Sequence, residues 1–99
     1  MKAIKHYVDL IDEEIEGAKE YAEKYVECKA KGHTNRAMKY KEMAEDELKH
    51  CTYLHDMAVQ EIEELNKVFV APVEMQEMWD KSHKLYVERV AWVHKMLEM

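Results

Sequence analysis

The sequence predicts an all-α fold: a long antiparallel helical hairpin followed by a third helix, within one domain covering residues 1–99. Three observations carry this reading. Only two Gly and one Pro punctuate 99 residues; 36% of the residues are charged while 47% are hydrophobic; and the apolar residues recur in alternating steps of four and three. A disordered chain lacks that much apolar content, and a turn-rich β fold needs more Gly and Pro. The formal charge of −6 leaves no basic stripe to neutralise phosphates, which argues against a nucleic-acid binder. No run of about 18 apolar residues is present, so no membrane span is expected. The opening MKAIKHYVDLIDEE interrupts its apolar residues with charges every few positions, unlike a secretory leader. Two cysteines in that context read as reduced thiols, and the expected location is cytoplasmic.

The first helix is predicted over about 3–31. Ile4, Val8, Ile11, Ile15, Ala18, Ala22 and Tyr25 form its seam, and it stops at the lysine-rich KAKG, with Gly32 as the residue just past the end. Thr34 then suits the cap of a second helix over about 35–66. Its seam runs Ala37, Tyr40, Ala44, Glu47, Cys51, Leu54, Ala58, Glu61 and Leu65. The segment NKVFVAP breaks the pattern, and Pro72 suits the first turn of a third helix over about 72–98. That helix carries two stripes. One is Trp79, His83, Tyr86, Val90, Val93 and Leu97; beside it lie Met75, Met78, Ser82, Leu85, Trp92 and Met96. So wide an apolar arc packs on more than one neighbour, and a chain of this size buries little alone, so a homodimer or higher homo-oligomer is expected.

Glu47 is the anomaly. It stands in the centre of the helix-2 seam, where an unpaired carboxylate is costly and must protonate, pair or bind a cation. His50 projects from the same face one turn on, so the Glu-x-x-His pair can aim an oxygen and an imidazole at one point. As a string the motif is weak: 16 Glu and six His make about one occurrence expected by chance. Position adds to it. Of the eight acids in helix 1, only Glu14 borders the seam, on the line Tyr7, Glu14, Tyr21, Cys28. A reversal near Gly32 brings Glu14, Glu47 and His50 to within about one turn of the same height, with Gly17 and Ala18 leaving room. Glu61, the other seam acid, falls opposite Ile4 and is a weaker metal candidate, as is His83 on the third helix. A hydrogen-bonded polar pair that fixes register accounts for the same spacing.

Residues 14–50 resemble the first half of a ferritin-like domain of the rubrerythrin kind. The shared features are a helix-1 Glu with a Tyr seven residues later (Glu14, Tyr21), a Gly-containing turn (Gly32), and a helix-2 Glu-x-x-His (Glu47, His50). The resemblance implies that Glu14, Glu47 and His50 are ligands of a carboxylate-bridged di-iron centre. Such centres draw on four helices, whereas this sequence has the set once. A two-fold dimer would supply it twice, an arrangement similar to that of encapsulated ferritins, although no flexible cargo tail is evident after helix 3.

The implied function is an iron protein with two Fe per dimer, Mn being the other candidate, oxidising Fe(II) with dioxygen or peroxide. Tyr21 and Tyr53 could hydrogen-bond the ligand oxygens, although tyrosines at this spacing also serve simply as core. Cys28 and Cys51 fall at different heights and read as buried thiols without a disulfide; the eight Met read as adaptable core and interface filling. The competing function is a non-catalytic all-α oligomerisation or adaptor module without a metal.

Overall fold

The structure is a computed structural model that describes residues 2–68, 70 and 72–99, and among these it contains three helices and no strand. Helix α1 spans Lys2–Ala30, α2 spans Thr34–Val68 and α3 spans Val73–Leu97. Each boundary lies within two residues of the sequence reading, and Pro72, expected in the first turn of α3, lies just outside it. There it holds φ −58° and ψ 142°, and its carbonyl accepts from the amides of Met75 and Gln76. The turn between α1 and α2 is a helix stop built on Gly32. The His33 amide bonds the Cys28 carbonyl at 2.9 Å and the Gly32 amide bonds Lys29 at 3.1 Å, with Gly32 at φ +78°.

Packing follows the seams. All seven predicted seam residues of α1 are buried. Ile4, Val8 and Ile11 share one apolar cluster with Ala58 and Ile62 of α2 and with Met75 and Trp79 of α3. Ile15, Ala18, Ala22 and Tyr25 share the other with Ala37, Ala44, Leu48 and Cys51 of α2 and Val93 and Leu97 of α3. The start of α1 therefore lies against the end of α2 and the start of α3. Helix α3 rests chiefly on α1. Arg89 reaches Asp12 at 3.4 Å there, and the Lys19 ammonium stands 5.1 Å over the Trp92 ring.

Helix α2 departs from its expected seam. Tyr40, Glu47, Leu54, Glu61 and Leu65 are only partly buried, whereas Leu48 and Ile62 are in the core. The Ala37, Ala44, Cys51 and Ala58 line of the expected seam stays buried, and α3 on a second side covers the neighbouring line of Leu48 and Ile62 instead of that of Glu47 and Glu61. On α3, Trp79, Val93 and Leu97 of one stripe are buried; of the companion stripe Met75 is buried, while Leu85 and Trp92 remain 41% and 40% exposed.

The molecule measures 55 × 18 × 17 Å, and its radius of gyration of 16.1 Å exceeds the roughly 13 Å of a compact chain this long. The long axis is that of α2, whose 35 residues rise about 52 Å. A rod this thin has a single row of core, and no charged side chain is buried among the described residues. None of its helices is long and apolar enough to cross a membrane.

Candidate metal centre

Helices α1 and α2 meet α3 on one side and leave the other side open. On α1 the open line is Tyr7, Leu10, Glu14, Gly17 and Tyr21, all partly buried. On α2 it is Met43, Glu47, His50, Leu54, Met57 and Glu61, with steps of four and three. Met43 and Met57 are 40% and 43% exposed.

Glu14, Glu47 and His50 converge at the middle of this face. One ligand atom from each lies within 4.8 Å of the others, and they are the only such group of three among the described residues. His50 Nδ1 lies 3.3 Å from Glu14 Oε2 and 3.7 Å from Glu47 Oε1. The notch is half-open: the Glu47 side chain is 24% exposed and that of His50 is 52% exposed.

Gly17 makes the notch possible. A Cβ at that position would stand 3.0 Å from Glu47 Oε2, so any larger residue displaces the carboxylate. The sequence suggested room around Glu14; the space serves Glu47 across the helix pair instead. Glycine in mid-helix costs about 1 kcal/mol relative to alanine, a local cost with a local use here.

The electrostatics are those of two carboxyls sharing one proton. A hydrogen bond with Glu14, then burial, then the Glu14 charge raise the Glu47 pKa to about 7. Glu14 is lowered by its hydrogen bond with Glu47 and by His50. The core below is apolar: burial first, then the charges of Glu14 and Glu47, push the Cys51 thiol up to about 12. That thiol is protonated and inert at neutral pH. Cys28 is likewise a free thiol, but it is only partly buried, whereas the sequence reading places both thiols in the core.

The donor chemistry fits a cation. Two carboxylates and one imidazole, clustered and partly dehydrated, suit Fe(II) or Mn(II) better than a thiolate-seeking metal. A cation would relieve the repulsion that now holds a proton on Glu47. Three ligands leave about half of a six-coordinate shell unfilled, on the side that faces solvent.

The other candidate residues lie elsewhere. Tyr21 is partly buried and stacks on Tyr40 with ring centroids 6.3 Å apart. Tyr53 is 62% exposed. Neither hydroxyl bonds the three clustered residues. Glu61 lies about four turns along α2 from Glu47, outside the cluster. His83 sits on the α3 side, where its Nδ1 is 3.1 Å from His55 Nε2. The His55 partnership was not foreseen from the sequence, although His55 shares its helical line with the buried Leu48 and Ile62. Comparison of the chain with protein-family models, with curated proteins and with solved structures finds no match.

Proposed function

We propose that the chain is a ferritin-like iron protein in which two copies of the α1–α2 hairpin meet through their open faces and share a di-iron carboxylate site. The observation that carries this reading is the convergence of Glu14, Glu47 and His50 within 4.8 Å at the centre of that face. A two-fold axis through the notch doubles the set to four Glu and two His, enough for two metal ions. The partly exposed Met43, Leu54 and Met57, on the same line as the ligands, supply apolar area for the second copy.

In this reading Glu14, Glu47 and His50 of each chain would hold the metal. To ligate, Glu47 gives up the proton it shares with Glu14, so metal binding releases a proton and strengthens as pH rises through about 7. His50 contributes the neutral nitrogen donor and keeps the net charge of the site low. Iron(II) held there would supply the electrons for reduction of dioxygen or peroxide. Gly17 keeps the Glu47 carboxylate in place, and the apolar floor around Cys51 and Ala44 keeps water from the buried side.

Anaerobic titration with Fe(II), and separately with Mn(II), followed by thermal melts tests the reading. One metal per chain with a raised Tm is expected, because a ligand specific for the native state must stabilise it. Glu47→Ala should abolish both effects. Unchanged binding in that variant refutes the proposal, and an absence of binding in the unmodified chain favours the oligomerisation module.

A further inference from the structure

On the far side of α2 from the carboxylate notch, His55 and His83 face each other between α2 and α3. His55 Nε2 and His83 Nδ1 are 3.1 Å apart. We propose that this pair is a second metal site, separate from the notch, that takes a late first-row divalent cation, copper(II) foremost, between His55 Nε2 and His83 Nδ1.

The spacing is the first argument. Two imidazole nitrogens each about 2.05 Å from one ion and 3.1 Å from each other subtend about 100° at that ion. That angle lies between the square-planar and tetrahedral values, so the separation of the two nitrogens already suits chelation once the proton between them is displaced. Their orientation is already fixed. The His55 ring stacks on Tyr86 at 5.4 Å with 15° between planes, and lies tilted by 35° against Trp79 at 5.6 Å. The His83 ring stacks on Trp79 at 6.0 Å with 23° between planes. Both imidazoles are thus held in an aromatic clamp, and a preorganised pair loses less side-chain entropy on binding.

Each histidine has a tautomer that suits this use. Asp56 Oδ1 stands 3.7 Å from His55 Nδ1, on the side of the ring away from His83. At that distance the exposed carboxylate makes no hydrogen bond to the ring, and His55 protonated on Nδ1 would present a bare Nε2 to His83. Without metal, one of the two facing nitrogens carries the proton of the hydrogen bond between them. With metal, His83 carries its proton on Nε2 and offers Nδ1 as the second ligand.

The donor set decides the metal class. Two imidazoles without a carboxylate between them favour copper, nickel and zinc over iron and manganese, and copper(II) stands highest in affinity. The His55 side chain is 23% exposed, so water can complete the coordination. The site also joins α2 to α3, which otherwise rests chiefly on α1. A bound ion therefore fastens the third helix.

The test uses the full-length Glu47→Ala chain, in which the notch is disabled, titrated with copper(II) and read by electron paramagnetic resonance and thermal melting. The expected result is one copper per chain, a signature of two coordinated imidazole nitrogens, and a raised Tm. His55→Phe and His83→Phe, which keep an aromatic ring in the clamp, should each lower the affinity at least tenfold and remove the two-nitrogen signature. Circular dichroism without metal identifies a variant that does not fold, and His83→Gln then replaces it. Copper binding with unchanged affinity in either histidine variant overturns the proposal, as does loss of all copper binding in Glu47→Ala itself.

Discussion

Replacing Glu47 by Gln should stabilise the metal-free protein at pH 8. The Glu47 carboxyl has a pKa of about 7 in the folded chain against 4.5 in an unperturbed setting, because it hydrogen-bonds Glu14, is partly buried and faces the Glu14 charge. The folded state therefore binds its proton more tightly than the unfolded state does. The stabilisation from this group is complete below pH 4.5, falls as pH rises, and is lost once the folded carboxyl ionises near pH 7. At about 1.36 kcal/mol per pH unit, the difference has a ceiling of about 3 kcal/mol. Glu14 moves the opposite way and returns part of that amount, and the 24% exposure of Glu47 screens more, leaving about 1–2 kcal/mol. Gln keeps the shape and a donor to Glu14 but carries no charge. In chelator, at one fixed protein concentration, the Tm advantage of Glu47→Gln should grow between pH 5 and pH 8, by about 4–8 °C for each kcal/mol. The same variant should bind Fe(II) and Mn(II) weakly. A Tm difference that stays constant across that pH range, or a variant less stable at pH 8 than at pH 5 relative to the parent, refutes the shared-proton description.

Gly17→Ala should leave the metal-free Tm unchanged or higher, since alanine favours helix, while lowering Mn(II) affinity about tenfold as its Cβ displaces Glu47 Oε2; calorimetric titration reads the latter. Gly32→Ala should cost about 1–2 kcal/mol in urea unfolding. The whole cost is backbone strain at φ +78°, because nothing lies within 4 Å of the added Cβ. Ile15→Ala, at a fully buried position, should lose about 2–5 kcal/mol in the same assay. Val87→Ala, at a position 52% exposed, should change stability by less than about 0.5 kcal/mol.

The helices were legible because each obeys one strong local rule. The α1 seam from Ile4 to Tyr25 keeps its rhythm without a break, and Gly32 is needed where the backbone turns left-handed. The burial of α2 was less legible. Its sequence carries an unbroken heptad through Glu47 and Glu61, but a partner on a second side decides which line is covered, and Leu48 and Ile62 took the core positions. Height along an antiparallel pair follows from rise per residue, so Glu14, Glu47 and His50 could be brought together on paper. Two features could not. Gly17 acts across the helix pair on Glu47, a contact that depends on side-chain direction rather than sequence distance. The His55–His83 pair depends on how α3 is rotated against α2, which no local periodicity fixes.

The proposed shared site stands or falls on whether a second chain completes it. Sedimentation or light scattering gives the molar mass of the iron-loaded protein, and metal analysis of the same fractions gives its stoichiometry. The expected result is a species of two 11.9 kDa chains, or a multiple of two, holding one iron per chain, with iron and assembly both diminished in Glu47→Ala. A monomer that binds its full complement of iron through Glu14, Glu47 and His50 would contradict it.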